Sequence, residues 1–457
     1  MNDHDGFGGP QFRNVVIVGT GHVGLVTGAC LAEKGHNVTC VDIDPGRIQA
    51  LLEGRLPFSE PDLGRVVRAA KALGHLKFDS ALAPALSTAS IAILTVGTPA
   101  AADGTADLSF VQAAAVSVAA AAPRGIVLVI SSTVPPGTGD LLAAQMQASG
   151  RQDIEVVNSP EFLAEGTAVR DFLAPRRLVF GGPLASARLV ASLWTDIRPE
   201  APRHFVDRRT AEMSKYAANA FLAVRISLIN EVANLCDALG ADVRHVAMIL
   251  GDDSRIGPEF LRPGIGYGGS CLSKDVRGLA AVARTHNLGM PVAEAAERTN
   301  EAQWRRILGK VEGALDGKPI GKRVAILGIS FKPGTDDSRG APGLLLAEAL
   351  VSKGAAVTMH DPIAILPNAS QIVGVRQAAQ VTLAVQDADV VVHMTEWPEY
   401  ASLDWGGLHS IAKAARLLDA RNSLPFDDLV KHGWQVQGVG VAPGYPTGNA
   451  VGNGAEK

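Results

Sequence analysis

The chain has 457 residues, 47% of them apolar and 19% charged, with a formal net charge of −4. That length exceeds what one hydrophobic core serves, so two or three domains are expected, and the mild acidity provides no field to draw nucleic acid or an anionic membrane. A small-molecule ligand is the partner this composition favours, and no metal is expected.

The N-terminal stretch "MNDHDGFGGPQFRN" lacks the apolar run of a signal peptide, and apolar stretches such as "IVLVI" at 126–130 have strand length rather than membrane length. The four cysteines, Cys30, Cys40, Cys236 and Cys271, show neither CxxC spacing nor a pairing pattern, which points to reduced thiols in a cytoplasm. From Asn14 onward, short β-branched runs ("VVIVG", "NVTCVDID", "SIAILTVGTP", "GIVLVISST") alternate with longer Ala/Leu-rich stretches. This alternation predicts βαβ units and a parallel sheet with ligands at the strand C-termini, so 14–208 reads as a Rossmann domain after a disordered N-terminus over 1–13.

"GTGHVG" at 19–24 follows the first strand, opens a helix and is followed by "VDID". In that context Gly19 permits a tight turn, Gly21 lets backbone approach a pyrophosphate, and Gly24 lets helix and strand pack closely. Thr20, His22 and Val23 complete the turn. Asp42, at the end of the second strand, would accept both ribose hydroxyls and so favours NAD, although Arg47 could instead meet a 2′-phosphate. "VGTP" at 96–99 (Gly97, Thr98, Pro99) and "SSTVPPGT" at 131–138 (Ser132, Thr133) end later strands along the same crevice. Each of them alone is equally a plain βα turn.

"SPEFLAEG" at 159–166 puts Glu161 and Glu165 four residues apart, which would align them on a helix. "RRLVFGG" reads as a further strand, and from about 210 the run "TAEMSKYAANAFLAVRISLINEVANLCDAL" has no Gly or Pro and repeats apolar residues at helical spacing. The segment 209–305 is therefore a central helical domain whose long helix is either a spine and dimer surface or a core element. Lys215 and Asn219 share one face of it. Near its end "GIGYGGSCLSKD" leads glycines into Cys271, at what reads as a helix N-terminus, where dipole and N–H groups would favour a thiolate. Asp275 follows one turn on. From 306 to 440 a second α/β domain follows ("KRVAILGISFKPG", "AAVTMHDP", "DADVVVHMT", "ARLLDAR"), and 441–457 is a Gly/Pro/Asn-rich tail expected to be disordered. The expected fold is thus α/β, two Rossmann-like parallel-sheet domains joined by a central helical domain with a long spine helix.

Together "GTGHVG", "STVPPG", "SPEFLAEG", Lys215 with "NA", "RIGPEFLRPGIGYGGSCLSKD", "SFKPGTDDSR" and "LLDARN" resemble, in order and spacing, the UDP-glucose/GDP-mannose dehydrogenase family, over nearly all of the chain. The resemblance implies NAD-dependent four-electron oxidation of a nucleotide sugar at C6, with the intermediate aldehyde trapped on a cysteine. It assigns Cys271 as nucleophile, and Lys215 with Asn219 as stabilisers of the oxyanions. Asp275 and Thr133 would hold or activate water, and Glu161 would assist proton transfer, the base role staying open among Lys215, Asp275 and Glu161. Phe162, Leu163, Phe260, Leu261 and the loop with Gly264, Gly266, Tyr267 and Gly268 would line the sugar's path. Phe331, Lys332 and Arg421 would meet the nucleotide, while Glu165, Lys274 and Arg339 would lie near NAD. Arg255 would reach a neighbouring subunit, implying a homodimer.

Three departures concern fine geometry: His22 for the family's usual tyrosine, Ser273 for proline, and "SRGAP" for "LRESP". "GGSC" argues against N-acetylated sugars but is shared with GDP-mannose enzymes, so UDP-glucose is the expected substrate and GDP-mannose the alternative. A β-hydroxyacid dehydrogenase would need neither the cysteine nor a second nucleotide domain. A non-catalytic nucleotide-sugar-binding regulator would not need Lys215, Cys271 and Asp275 together.

Overall fold

The computed structural model describes residues 12–367 and 374–444; apart from residues 12, 13 and 441–444, the two ends expected to be disordered lie outside them. The chain divides into two compact units, Met1–Asn219 with Arg277–Gly289, and Ala220–Val276 with Met290–Lys457.

The first unit is built on eight strands: β1 (Asn14–Val18), β2 (Asn37–Val41), β3 (Leu76–Asp79), β4 (Ile91–Leu94), β5 (Val127–Ile130), β6 (Glu155–Asn158), β7 (Leu178–Gly181) and β8 (Arg203–Val206). Their order is β3-β2-β1-β4-β5-β6-β7-β8. Alternate residues of β1 enter different cores, Val15 and Ile17 on one face and Val16 and Val18 on the other. This is the period of two expected of a strand covered by helices on both sides, and it explains why these strands are continuously apolar. The sheet is not wholly parallel, since β7 runs antiparallel to β6.

The second unit has six strands, β9 (Arg323–Leu327), β10 (Ala356–His360), β11 (Val375–Gln377), β12 (Val390–His393), β13 (Arg416–Asp419) and β14 (Gln435–Gln437). They are ordered β11-β10-β9-β12-β13-β14 and all pair in parallel. That is the same winding as the first six strands of the other unit, outward from a central first strand. One face of this sheet packs Val324, Ile326, Val390 and Val392 against Ile229 and Ala233 of the long helix, and the other buries Ala325, Leu327 and Val391 with Trp405 and Trp434. The central helices are Arg208–Leu239, Val243–Asp252, Leu272–Thr285 and Pro291–Ala314. Arg208–Leu239, at 32 residues, is the long helix read from the sequence. Among the described residues no helix is long and apolar enough to cross a membrane.

Candidate functional site

The turn after β1 is shaped by its glycines. Gly19 has φ +103°, and a Cβ on Gly24 would lie 2.0 Å from the Gly19 carbonyl oxygen, so neither tolerates a side chain. A Cβ on Gly21 would meet nothing within 4 Å. The helix His22–Glu33 that follows has no side-chain cap on its first turn, so no side chain of its N-cap takes its first N–H groups, as suits a helix start that receives a phosphate. Asp42 Oδ2 accepts from Thr20 N and Oγ1, both at 2.7 Å, and Oδ1 from Asp44 N at 3.0 Å. Oδ2 also takes Arg47 Nη1 at 3.4 Å and is filled, while Oδ1, with its single donor, keeps about one position, so Asp42 can take one ribose hydroxyl rather than two. Burial pushes the Asp42 carboxyl up, but the Thr20 and Asp44 donors and the Arg47 charge outweigh it and hold it below its ordinary range. Arg47 Nη1 lies 3.4 Å from Asp42 Oδ2, neutralising the carboxylate instead of standing clear to meet a 2′-phosphate. These residues fit NAD.

His22 turns aside from this cradle. Its ring stacks on Phe58 with centroids 4.4 Å apart, and Nε2 lies 2.9 Å from Glu60 Oε2. Glu60 also accepts from Gly166 N at 2.6 Å and Ala168 N at 2.8 Å. The cofactor turn and the end of the "SPEFLAEG" segment are therefore held through one buried glutamate.

The turns after β4 and β5 are joined by hydroxyls: Thr98 Oγ1 donates to Thr133 O at 2.8 Å and Ser132 Oγ to Val96 O at 2.6 Å. Gly97 and Pro99 belong to the first of these turns. Glu161, Phe162, Leu163 and Glu165 lie on a non-helical segment, so the expected alignment of Glu161 and Glu165 does not occur. Pro160 precedes the pair, and Glu161 takes the N–H of Leu163 with its own carboxylate, a local bond that competes with a helix. Lys215 Nζ bonds Glu161 Oε1 at 3.0 Å, with both side chains largely buried, and lies 5.5 Å from the centre of the Phe162 ring. Arg177 stacks on that ring at 3.7 Å. Asn219 is buried one turn beyond Lys215.

Besides Glu60, Arg177 escaped the sequence reading. So did Glu212, one turn before Lys215: its buried carboxylate accepts from Gly137 N at 2.6 Å, Gly139 N at 2.7 Å and Asn158 Nδ2 at 2.8 Å. Burial raises its carboxyl to about 7 against the pull of those donors, with Asp140 adding to the rise. Its only sequence signal was its place three residues before Lys215 on the same helix face.

In the second unit Cys271 is exposed and immediately precedes the helix Leu272–Thr285, while Cys30, Cys40 and Cys236 are buried. Asp275 is buried at 1% exposure, bonds through its N–H to Cys271 O at 2.9 Å, and meets Lys274 Nζ at 2.6 Å. Lys274 is thus placed on Asp275. The glycines before Cys271 are close-packing positions: Cβ atoms on Gly264, Gly266 and Gly268 would lie 2.7 Å from Ala420 O, 2.4 Å from Asn300 Oδ1 and 2.6 Å from Gly340 O. Their smallness lets the loop press on its own unit, where the sequence reading assigned it to ligand space. Tyr267 donates to Glu297 at 2.9 Å, and Leu261 is buried while Phe260 is exposed at φ +61°. Arg421 clamps this loop, giving Nη1 to Gly266 O, Nη2 to Phe331 O and Nε to Met394 O, all within 3.1 Å. Lys332 lies over the Phe331 ring. Arg339 pairs with Asp337, and Arg255, strongly exposed, with Asp253.

The turn after β9 repeats the geometry of the turn after β1 with one difference. Asp361 stands where Asp42 does and accepts from Ser330 N and Oγ, as Asp42 does from Thr20, but also from Ile329 N, Trp397 Nε1, Ile363 N and Ala364 N. With six donors on it Asp361 has no acceptor position left for a ribose, so among the described residues the opening for a dinucleotide of this kind lies in the first unit.

Two open α/β sheets, one with a turn open to a pyrophosphate and a ribose, define a nicotinamide-dinucleotide-dependent oxidoreductase with a second nucleotide-type domain. The sequence matches the NAD binding domain of the UDP-glucose/GDP-mannose dehydrogenase family over residues 13–197, its central domain over 209–302 and its UDP binding domain over 325–425. The chain belongs to the UDP-glucose/GDP-mannose dehydrogenase family, and its cofactor is NAD. It is 40% identical over 433 residues to a UDP-glucose 6-dehydrogenase of Rhizobium meliloti, covering 93% of this chain and 99% of the relative. Among solved structures, a UDP-glucose dehydrogenase from Pyrobaculum islandicum superposes with a TM-score of 0.87 at 33% identity, covering 95% of this chain and 99% of that one. A UDP-D-ManNAc dehydrogenase from Pyrococcus horikoshii gives a TM-score of 0.82 at 28% identity over 93% of this chain and 99% of that one.

Proposed function

We propose that this chain is an NAD-dependent UDP-glucose 6-dehydrogenase, converting UDP-glucose, two NAD+ and one water to UDP-glucuronate and two NADH, with the protons of both oxidations and of the new acid released to solvent. The observation that carries the reading is an exposed Cys271 at a helix start, in a chain matching UDP-glucose 6-dehydrogenases along nearly its whole length. Oxidising an alcohol to an acid removes four electrons through an aldehyde that must be retained. NAD, bound at the turn after β1, supplies the hydride acceptor for both oxidations. The C6 alcohol loses a proton and a hydride to give the aldehyde. Cys271 Sγ then adds to the carbonyl carbon and the oxygen gains a proton, forming a thiohemiacetal. Loss of a second proton and hydride leaves a thioester. Water adds to it, the C–S bond breaks, and carboxylate and thiolate separate.

Lys215 and Asn219 stabilise the successive oxyanions, Asp275 and Thr133 hold the water, and Glu161, in contact with Lys215, relays protons. Phe162, Leu163, Phe260, Leu261 and Tyr267 line the sugar's path, while Phe331, Lys332 and Arg421 serve the nucleotide. Glu165, Lys274 and Arg339 lie toward NAD. The working form is a homodimer with Arg255 directed to the neighbouring subunit. An apolar stripe on the long helix supports this, with Phe221, Leu228 and Leu235 each more than half exposed at intervals of seven residues. A cytoplasmic location suits chemistry that needs a reduced thiol.

The test is stoichiometric. Purified protein with UDP-glucose should release about two NADH per sugar, and Cys271→Ser should abolish complete oxidation while keeping NAD affinity. One NADH per sugar with free aldehyde would refute the mechanism. Turnover of GDP-mannose and none of UDP-glucose would refute the substrate.

A further inference from the structure

Glu212 is a buried acid that the proposed chemistry does not use, and it joins two segments that the chemistry does use. Its helix carries Lys215 one turn on and Asn219 two turns on, along one face. Its carboxylate grips the other segment, the turn after β5 that carries Thr133, through the N–H groups of Gly137 and Gly139. At its opposite end that turn is held by Thr98 Oγ1, which donates to Thr133 O. Asn158, at the end of β6, adds the third donor to Glu212, and a Cβ on Gly139 would fall 2.0 Å from Asn158 Oδ1, so the joint has no room to slide. Neighbouring charges are otherwise engaged: Arg208 and Arg209 both pair with Asp140, and Lys215 with Glu161. The carboxylate therefore serves backbone N–H groups and one amide, an arrangement that fixes position.

We propose that Glu212 is a positioning residue, whose carboxylate sets Thr133 relative to Lys215 and Asn219. This rests on the roles proposed above for those three residues. A turn that drifts by about an ångström misplaces a reacting group at a cost of roughly a hundredfold in rate. NAD is held chiefly at the turn after β1, which Glu212 does not touch, so its binding is disturbed less than turnover, even though the turn after β5 borders the same crevice.

The experiment compares Glu212→Gln, Glu212→Leu and Asn158→Ala with wild type, using UDP-glucose and NAD. Glu212→Gln keeps one oxygen and sets an amide nitrogen against a backbone N–H, so kcat should fall roughly tenfold, and Glu212→Leu, with no acceptor, roughly a hundredfold. Asn158→Ala, which leaves both backbone bonds in place, should lose no more than about threefold. In both Glu212 variants kcat should fall several times further than the NAD dissociation constant or either KM rises. Hydrogen exchange should quicken at Gly137 and Gly139 in the Glu212 variants. Should Glu212→Leu fail to fold, Glu212→Gln and Asn158→Ala still give the graded series. An unchanged kcat in Glu212→Gln, or a kcat loss matched by equal losses of NAD affinity, would overturn the proposal. Wild-type protein that does not turn over UDP-glucose would instead remove the underlying reading, and the positioning role with it.

Discussion

Asp361 offers a severe test of how the second unit is built. It is 7% exposed and receives six donors, four on Oδ2 and two on Oδ1. In Asp361→Asn the amide must place NH2 where one oxygen stood. Its cheaper orientation spares the four donors from Ile329, Ser330 and Trp397 and faces the N–H groups of Ile363 and Ala364 with another donor. The buried Ala364 N–H then loses its acceptor at about 1–3 kcal/mol, and the N–H of the exposed Ile363 loses less, giving about 3 kcal/mol together. For a folding unit of this size each kcal/mol moves the melting temperature by about 2–4 °C, giving a fall of about 6–12 °C. The same change at Asp42 strands as few as one N–H, that of Asp44, so Asp42→Asn should cost less stability and fall instead on NAD affinity, by about tenfold. Differential scanning calorimetry of the two variants, with NAD titrations of each, measures both effects. A melting point for Asp361→Asn within about 2 °C of wild type, or a larger loss in Asp42→Asn, would refute the reasoning.

Thiol chemistry should sort the cysteines by exposure. Burial pushes Cys30 and Cys40 up to about 12 and also raises Cys236, so iodoacetamide near neutral pH should label Cys271 alone, and peptide mapping that found Cys30 or Cys40 labelled first would contradict the burial argument. Glu212 should leave a mark on stability as pH changes: its folded value of about 7 lies above the ordinary 4.5, so the folded state holds the proton more tightly. The resulting stabilisation, up to about 3 kcal/mol, is complete below about pH 4.5 and is lost as pH rises through 7. Denaturant titrations between pH 4.5 and 8 should show that slope in wild type and a flatter one in Glu212→Gln; equal slopes would refute it.

The strands were legible in the sequence because covered strands are apolar on both faces, as Val15 to Val18 show, and the long helix because its apolar period runs unbroken past Lys215. What stayed hidden depends on distant partners or on local competition. Nothing in "EFLAEG" announces that the Glu161 side chain would capture the N–H of Leu163 and keep Glu165 off its face. The glycines of "GIGYGG" signal close approach without saying to what, and the approaching atoms, Asn300 Oδ1, Gly340 O and Ala420 O, all lie far along the chain. Glu60 and Glu212 look like solvated acids in sequence. Only the fold brings each against two backbone N–H groups.

A common rule underlies these acids. At the C-terminal ends of parallel strands the chain turns sharply and strands its N–H groups, and a carboxylate from the next strand or a neighbouring helix collects them. What distinguishes a ligand position from a structural one is the number of acceptor positions left. Asp361 has none, and Asp419 is filled by His393, Arg421, Ser423 and Leu424. Asp42, with three close donors, keeps about one. The two sheets share a winding and even the hydroxyl-bearing turn residue, Thr20 in one and Ser330 in the other. Their division of labour follows from a few extra donors around one aspartate: Trp397 and the N–H groups of Ile329, Ile363 and Ala364 close the second turn to a ribose, and their absence from the first leaves it open.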